Sequence, residues 1–191
     1  YKRVFVTSSA YLGWLSGLPG ADSKCQERAN AANLSGPMII DGYDSYGAPY
    51  GHYNITYKAW LSSGTVSAAT RLTHSTNPYK LVDGTTVVAS SRNDLVTAKI
   101  SSYDVYGSPI YDKWLTNPIS KTEGGGVVSG PVWTNTQPNG YMTTTANLYT
   151  CYDWAGSSSG YIGYSDRILH DWTAFSLQSC GLPARLYCFE Q

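Results

Sequence analysis

The sequence predicts a loop-rich α+β domain in which several short strands accompany one or two short helices. Three observations predict it. Ala21, Cys25, Ala29 and Ala32 recur at the spacing of one helical face. Elsewhere short apolar runs such as Val4-Phe5-Val6-Thr7 are bounded by Gly, Pro, Asn and Ser. The four cysteines form no Cys-x-x-Cys pair and lie at no zinc-finger spacing from a histidine, which favours two disulfides over a metal. A chain of 191 residues is long enough to bury one sizeable core, so a single domain spanning 1–191 is expected.

Taken in order, Val4 to Thr7 reads as an opening strand and Ser16-Gly17-Leu18-Pro19-Gly20 as the turn that ends it. Ser23 with Gln26 three residues on fits a capping box, so the helix is expected from there, with Cys25 on its buried stripe and Asn33-Leu34-Ser35-Gly36-Pro37 as its end. Two stretches, at about 37–56 and 100–116, then share the pattern Tyr-Asp-x-Tyr-Gly-[Ala/Ser]-Pro, as Tyr43 to Pro49 and Tyr103 to Pro109. Gly and Pro at matched offsets impose the same turn chemistry twice, which predicts two similar tight loops or hairpins, each presenting several tyrosines. Between them Asp83-Gly84 separates the apolar runs Lys80-Leu81-Val82 and Thr85-Thr86-Val87-Val88, a turn between two strands. Gly124-Gly125-Gly126 reads as a joint or turn within the domain, and Arg185 to Phe189 as a closing strand.

Composition excludes several functions. Charged residues are only 14% of the chain and cancel to a formal net charge of zero, which leaves no basic footprint for nucleic acid. No run of about 18 apolar residues and no signal peptide are present, so membrane insertion is not expected and the chain reads as a mature domain or excised C-terminal module. Ser, Thr, Gly, Asn and Tyr supply the polar surface, and with paired cysteines they point to an extracellular or cell-surface setting. Catalysis has weak support. Gly156-Ser157-Ser158-Ser159-Gly160 matches a nucleophile-elbow pattern with Asp166 and His170 downstream, but no buried apolar strand precedes the serine, and a Ser/Gly loop explains the same residues. The chain is therefore expected not to be an enzyme.

The cassettes Gly20-Ala21-Asp22-Ser23-Lys24-Cys25-Gln26 and Leu186-Tyr187-Cys188-Phe189-Glu190, with Tyr57 to Ser63, Val132-Trp133, Pro138-Asn139-Gly140 and Cys151-Tyr152-Asp153-Trp154 between them, resemble the endostatin-like branch of the C-type lectin-like fold. The match is closest to endostatin-like domains of bacterial surface proteins. This resemblance implies mixed, mostly antiparallel twisted sheets with long loops. Four cysteines allow three connectivities, and the resemblance implies the nested one, Cys25 with Cys188 and Cys151 with Cys180. It further implies that Trp14, Trp60, Trp133 and Trp154, which lie in matching segments, pack in the core. The two Tyr-rich stretches are the main departures from the family outline.

Those departures carry the functional expectation. The chain has 17 Tyr against 3 Phe, and tyrosine offers binding surfaces a rigid ring with a polar tip. Tyr46, Tyr50, Tyr53, Tyr106 and Tyr111 are the first candidates for contact with a protein or glycan ligand, followed by Asn139, Tyr141, Tyr161, Tyr164 and Asp166. The expected activity is non-enzymatic recognition or adhesion, as the terminal domain of a larger or oligomeric surface protein. A second reading is a calcium-assisted lectin, because Gln137-Pro138-Asn139 resembles a sugar-coordinating tripeptide, although Ala146-Asn147-Leu148 stands where those lectins carry Trp-Asn-Asp. No cofactor is otherwise implied; Asp41, Asp44 and Asp104 are weak calcium candidates whose bland reading is a solvated turn, and His52, His74 and His170 are isolated. A third reading is an assembly domain of a surface or phage-associated appendage, its aromatic loops buried between subunits.

Overall fold

A computed structural model of the chain describes residues 1–51 and 54–191, with 52 and 53 described by backbone pairing alone. The fold is α+β. Besides two 3-10 turns (Asn147–Tyr149 and His170–Trp172) and a left-handed turn (Cys151–Trp154), its strands and helices in chain order are β1 (Lys2–Val6), α1 (Gly17–Ala31), β2 (Met38–Tyr43), β3 (Pro49–Tyr53), β4 (Tyr57–Ala59), α2 (Ala68–Arg71), β5 (Tyr79–Leu81), β6 (Val87–Ala89), α3 (Arg92–Leu95), β7 (Lys99–Tyr103), β8 (Pro109–Lys113), β9 (Pro131–Trp133), β10 (Ser159–Tyr164), β11 (Ser176–Ser179) and β12 (Tyr187–Glu190).

The two chain ends meet at the centre of the main sheet, whose order is β4-β12-β1-β5-β6. β1 pairs antiparallel with β12, Phe5 opposite Cys188, and parallel with β5. Because successive side chains alternate faces, Val4, Val6, Tyr187 and Phe189 enter one core, while Phe5 and Cys188 enter another on the opposite face. The first core stacks aromatics: Trp60 lies 5.2 Å from Trp172 and 5.3 Å from Phe189, ring centre to ring centre. The second is covered by α1, whose buried stripe is Ala21, Cys25 and Ala29. Cys25 therefore meets Cys188 on that face of the sheet, and the two are bonded; Cys151 is bonded to Cys180. The nested pairing is the one present.

Helix α1 starts six residues before the expected Ser23. Ser16 (φ 64°) and Gly17 (φ 74°) turn the chain through the left-handed region with no side-chain cap, and Pro19 is tolerated in the first turn, where its missing N–H would have no partner. Gln26 does not close a capping box. Its amide instead donates to Asn30, Ser35 and the Ile55 carbonyl and accepts from Tyr57 N, holding the residue that opens β4. The helix ends as expected near Asn33, which at φ 56° lets Leu34 N reach Ala29 O and its own N–H reach Asn30 O. A further correction concerns Trp14, expected in the core but 50% exposed.

A smaller sheet, β11-β10-β9, is antiparallel throughout. Each Tyr-rich stretch forms a two-stranded sheet of its own, β2-β3 and β7-β8.

Candidate functional site

The two hairpins are built from the same turn. In the first, Gly47 N donates to Asp44 O at 3.0 Å, Asp44 N donates to Ala48 O at 2.9 Å, and Asp44 Oδ1 accepts from Tyr46 N and Ala48 N, both at 2.9 Å. In the second, Gly107, Asp104, Ser108 and Tyr106 repeat every one of these bonds, the carboxylate pair at 2.8 Å. Gly47 and Gly107 sit at φ 80° and 82°, a conformation that a side chain disfavours. Pro49 and Pro109 follow as first strand residues, where no ladder N–H is lost. This turn places the second tyrosine of each motif at the outermost point: Tyr46 is 94% and Tyr106 90% exposed. Tyr50 and Tyr111 are exposed on the strands behind them, as are Ile40, Ile100 and Ile110. Tyr53 lies outside the described residues.

Asn139 and Tyr141 occupy a second place. Asn139 Oδ1 accepts from Tyr141 N at 3.0 Å, closing a turn in which Gly140 (φ 89°) lies over Arg92. This turn is one wall of a cavity of about 450 Å³, whose lining also includes Ala69, His74, Arg92 and Val96. His74 Nε2 lies 2.6 Å from Ala69 O and donates to it.

Compared with protein-family models and with curated proteins, the chain matches none.

The remaining candidates fall in a third place. Tyr161 and Tyr164 are half-buried on β10, Tyr164 edge-on to Phe175 at 4.9 Å. Asp166 accepts from Ser129 Oγ at 2.8 Å and pairs with Arg167 at 3.5 Å. The structure thus distributes the sequence candidates over hairpins, cavity wall and small sheet. As for calcium, Asp44 and Asp104 each turn one carboxylate oxygen into their own turn, and Asp41 lies on β2 at an exposed position. No group of three His, Cys, Asp or Glu side chains converges among the described residues. Ser158 leads from a loop into β10, the reverse of the strand-turn-helix order that a nucleophile elbow requires.

Sequence reasoning missed Arg92. It had one usable signal: Ser91 followed by Asp94 is a cap, realised as Asp94 N donating to Ser91 Oγ at 3.1 Å and Ser90 N to Asp94 Oδ2 at 2.7 Å. That signal places the residue at a helix start. What buries its guanidinium, Trp60 beneath and Gly140 above, comes from distant parts of the chain.

Proposed function

We propose that the chain is a non-enzymatic extracellular recognition module of the endostatin-like branch of the C-type lectin-like fold, engaging a protein or glycan through its two Tyr-tipped hairpins. The observation that carries this reading is the near-complete exposure of Tyr46 and Tyr106 at the tips of two hairpins with one shared turn geometry. A two-stranded ribbon is marginally stable alone, and exposed aromatic and β-branched side chains on it gain from a partner's surface. A tyrosine ring is itself rigid and loses little entropy on contact, which suits it as an anchor. Two disulfides fit the extracellular setting, and no helix among the described residues is long and apolar enough to cross a membrane.

A second reading, subunit assembly, is favoured by one specific observation. Ile40, Ile100, Val105 and Ile110 are exposed on two-stranded ribbons whose outer edges, apart from the Lys113–Leu169 bridge at the end of β8, join no further strand among the described residues, the geometry by which two copies could add strands to one another. Screening the labelled chain against immobilised matrix proteins and a glycan array, with and without EDTA, alongside its mass in solution, separates the readings. Metal-independent binding by a monomer supports recognition; binding lost in EDTA supports the calcium lectin; a concentration-dependent dimer supports assembly.

A further inference from the structure

The two hairpins are rooted at opposite edges of the main sheet and at the same end of it. β1 runs parallel to β5; β4, antiparallel to β12, therefore runs the same way as β1, while β6 runs against β5. Tyr57, the first residue of β4, pairs with Glu190, and Ala89, the last of β6, pairs with Tyr79, whose other neighbour is Lys2, so these residues line one end of the sheet. The first hairpin reaches Tyr57 through residues 54–56, and Gln26 fixes that junction by donating to Ile55 O and accepting from Tyr57 N. The second follows α3 beyond Ala89. Its root is fixed where Thr116 N donates to Val88 O at 2.8 Å and where Lys99 Nζ donates to Trp114 O and, at 2.7 Å, to Asp94 O. The two edges of the five-stranded sheet are four strand spacings apart, about 19 Å. A side chain added at Gly47 or Gly107 would meet nothing within 4 Å, so neither tip has a wall around it.

We infer that the two tips act together, as a clasp, on one neutral polysaccharide chain of extended, β-linked sugars. The inference rests on the hairpins being the recognition surface and names what they recognise. Three features set that class. The tips share their motif and their turn bonds, so they present one chemistry twice, and a chain of repeating units offers one site many times over. Tyr46 and Tyr106, 94% and 90% exposed with no wall around them, do not enclose a small molecule. Such a ring lies instead against a flat apolar face, and the C–H face of a pyranose in an extended chain is one. Asp44 and Asp104 each spend Oδ1 on two amides of their own turn, and Oδ2 accepts no bond among the described residues. An open carboxylate oxygen near each ring suits hydroxyl donors, which a sugar carries and a proline-rich repeat, the other flat repeating partner, largely lacks. The same two carboxylates repel an anionic polysaccharide. Engaging both tips on one chain multiplies the affinity of a single tip by about a hundredfold or more, without any new contact. Neither calcium nor the Asn139 turn takes part.

The test uses the intact chain and four probes: cellulose and chitin fibres, and their disaccharides cellobiose and chitobiose, which are too short to reach from one hairpin root to the other. The wild type should be retained saturably by at least one fibre, with EDTA present, and should bind that fibre at least about tenfold more tightly than the matching disaccharide. Tyr46→Ala and Tyr106→Ala should each lower the fibre affinity at least about tenfold, towards the disaccharide value, and change the disaccharide affinity by no more than about twofold, since one tip of two is left. The double variant should lose both. A fibre bound no more tightly than its disaccharide would leave two independent sites and overturn the clasp. No retention on either fibre would overturn the inference outright; an immobilised matrix protein bound by the wild type and released by the same two changes would then keep the hairpins as the recognition surface and make their partner a protein. Fibre binding that survives in the double variant would overturn the inference by placing the polysaccharide away from the hairpins.

Discussion

At the residue scale, the turn aspartates show how one side chain fixes a backbone. Asp83 accepts from Thr85 N, Thr86 N, Thr86 Oγ1 and Lys121 Nζ, bridging the β5-β6 turn to the segment before the triple glycine. The Lys121 ammonium, then the Thr86 bonds, hold its carboxyl well below the usual carboxylate range. A depressed folded-state pKa contributes stability that is present above the unfolded value and lost as pH falls beneath it. Thermal melts should therefore show an acid limb below about pH 4 that is flatter in Asp83→Asn than in the wild type; parallel limbs would mean that Asp83 is not coupled to folding. Asp44 and Asp104 act only within their hairpins. The pair Asp44→Ala and Asp104→Ala should leave the global melt within about 0.5 kcal/mol of wild type, while hydrogen exchange at the amides of Tyr46, Ala48, Tyr106 and Ser108 accelerates.

At the element scale, the turn Cys151–Trp154 is left-handed, with φ of 50°, 51°, 54° and 65° in succession. Such residues cost roughly 1–2 kcal/mol each, and surrounding contacts hold them there. Trp154 donates its indole N–H to Ser62 O, Asp153 accepts from Gly64 N, and Cys151 is bonded to Cys180. Tyr152 is exposed and has no comparable tie. Tyr152→Gly should accordingly raise stability by about 1 kcal/mol and Tyr152→Val lower it, checked by urea unfolding; a loss in the glycine variant would contradict the left-handed turn. This element was not legible in the sequence, because Cys-Tyr-Asp-Trp carries no glycine to announce positive φ. The hairpins were legible, since Asp, Gly and Pro at matched offsets are local turn chemistry. The start of α1 was not: Ser23 and Gln26 have cap spacing, but Gln26 is taken by Tyr57 and Ser35, partners that only the folded chain supplies.

For the whole molecule, both chain ends sit in adjacent central strands and the long disulfide locks them there. On the loop-entropy model the Cys25–Cys188 closure, spanning 163 residues, is worth about 5 kcal/mol, and Cys151–Cys180, spanning 29, about 3.5 kcal/mol. Cys25→Ala with Cys188→Ala should thus lower the denaturant midpoint strongly. The shorter bridge also packs against Gly13 and Gly160, where no side chain fits, so its removal adds a cavity cost to the entropic one. The buried stripe of α1 and the turn-bounded strands were readable from periodicity; sheet order was not, because it follows from β1 pairing with strands far along the chain. The same holds at the sites. Tyr46 and Tyr106 declare themselves by a repeated motif, whereas Arg92 and the exposed Trp14 depend on what distant segments cover.

The central claim is that the hairpin tips are the recognition surface. Its most direct measurement is the affinity of Tyr46→Ala, Tyr106→Ala and the double variant, each with a melting curve, for whichever protein or glycan binds the wild type. Each single change should weaken binding by about 1–3 kcal/mol while the melt stays within about 0.5 kcal/mol of wild type. Unchanged affinity in the double variant, with a strongly lowered melting temperature, would show that these rings support the fold and that the ligand is held elsewhere.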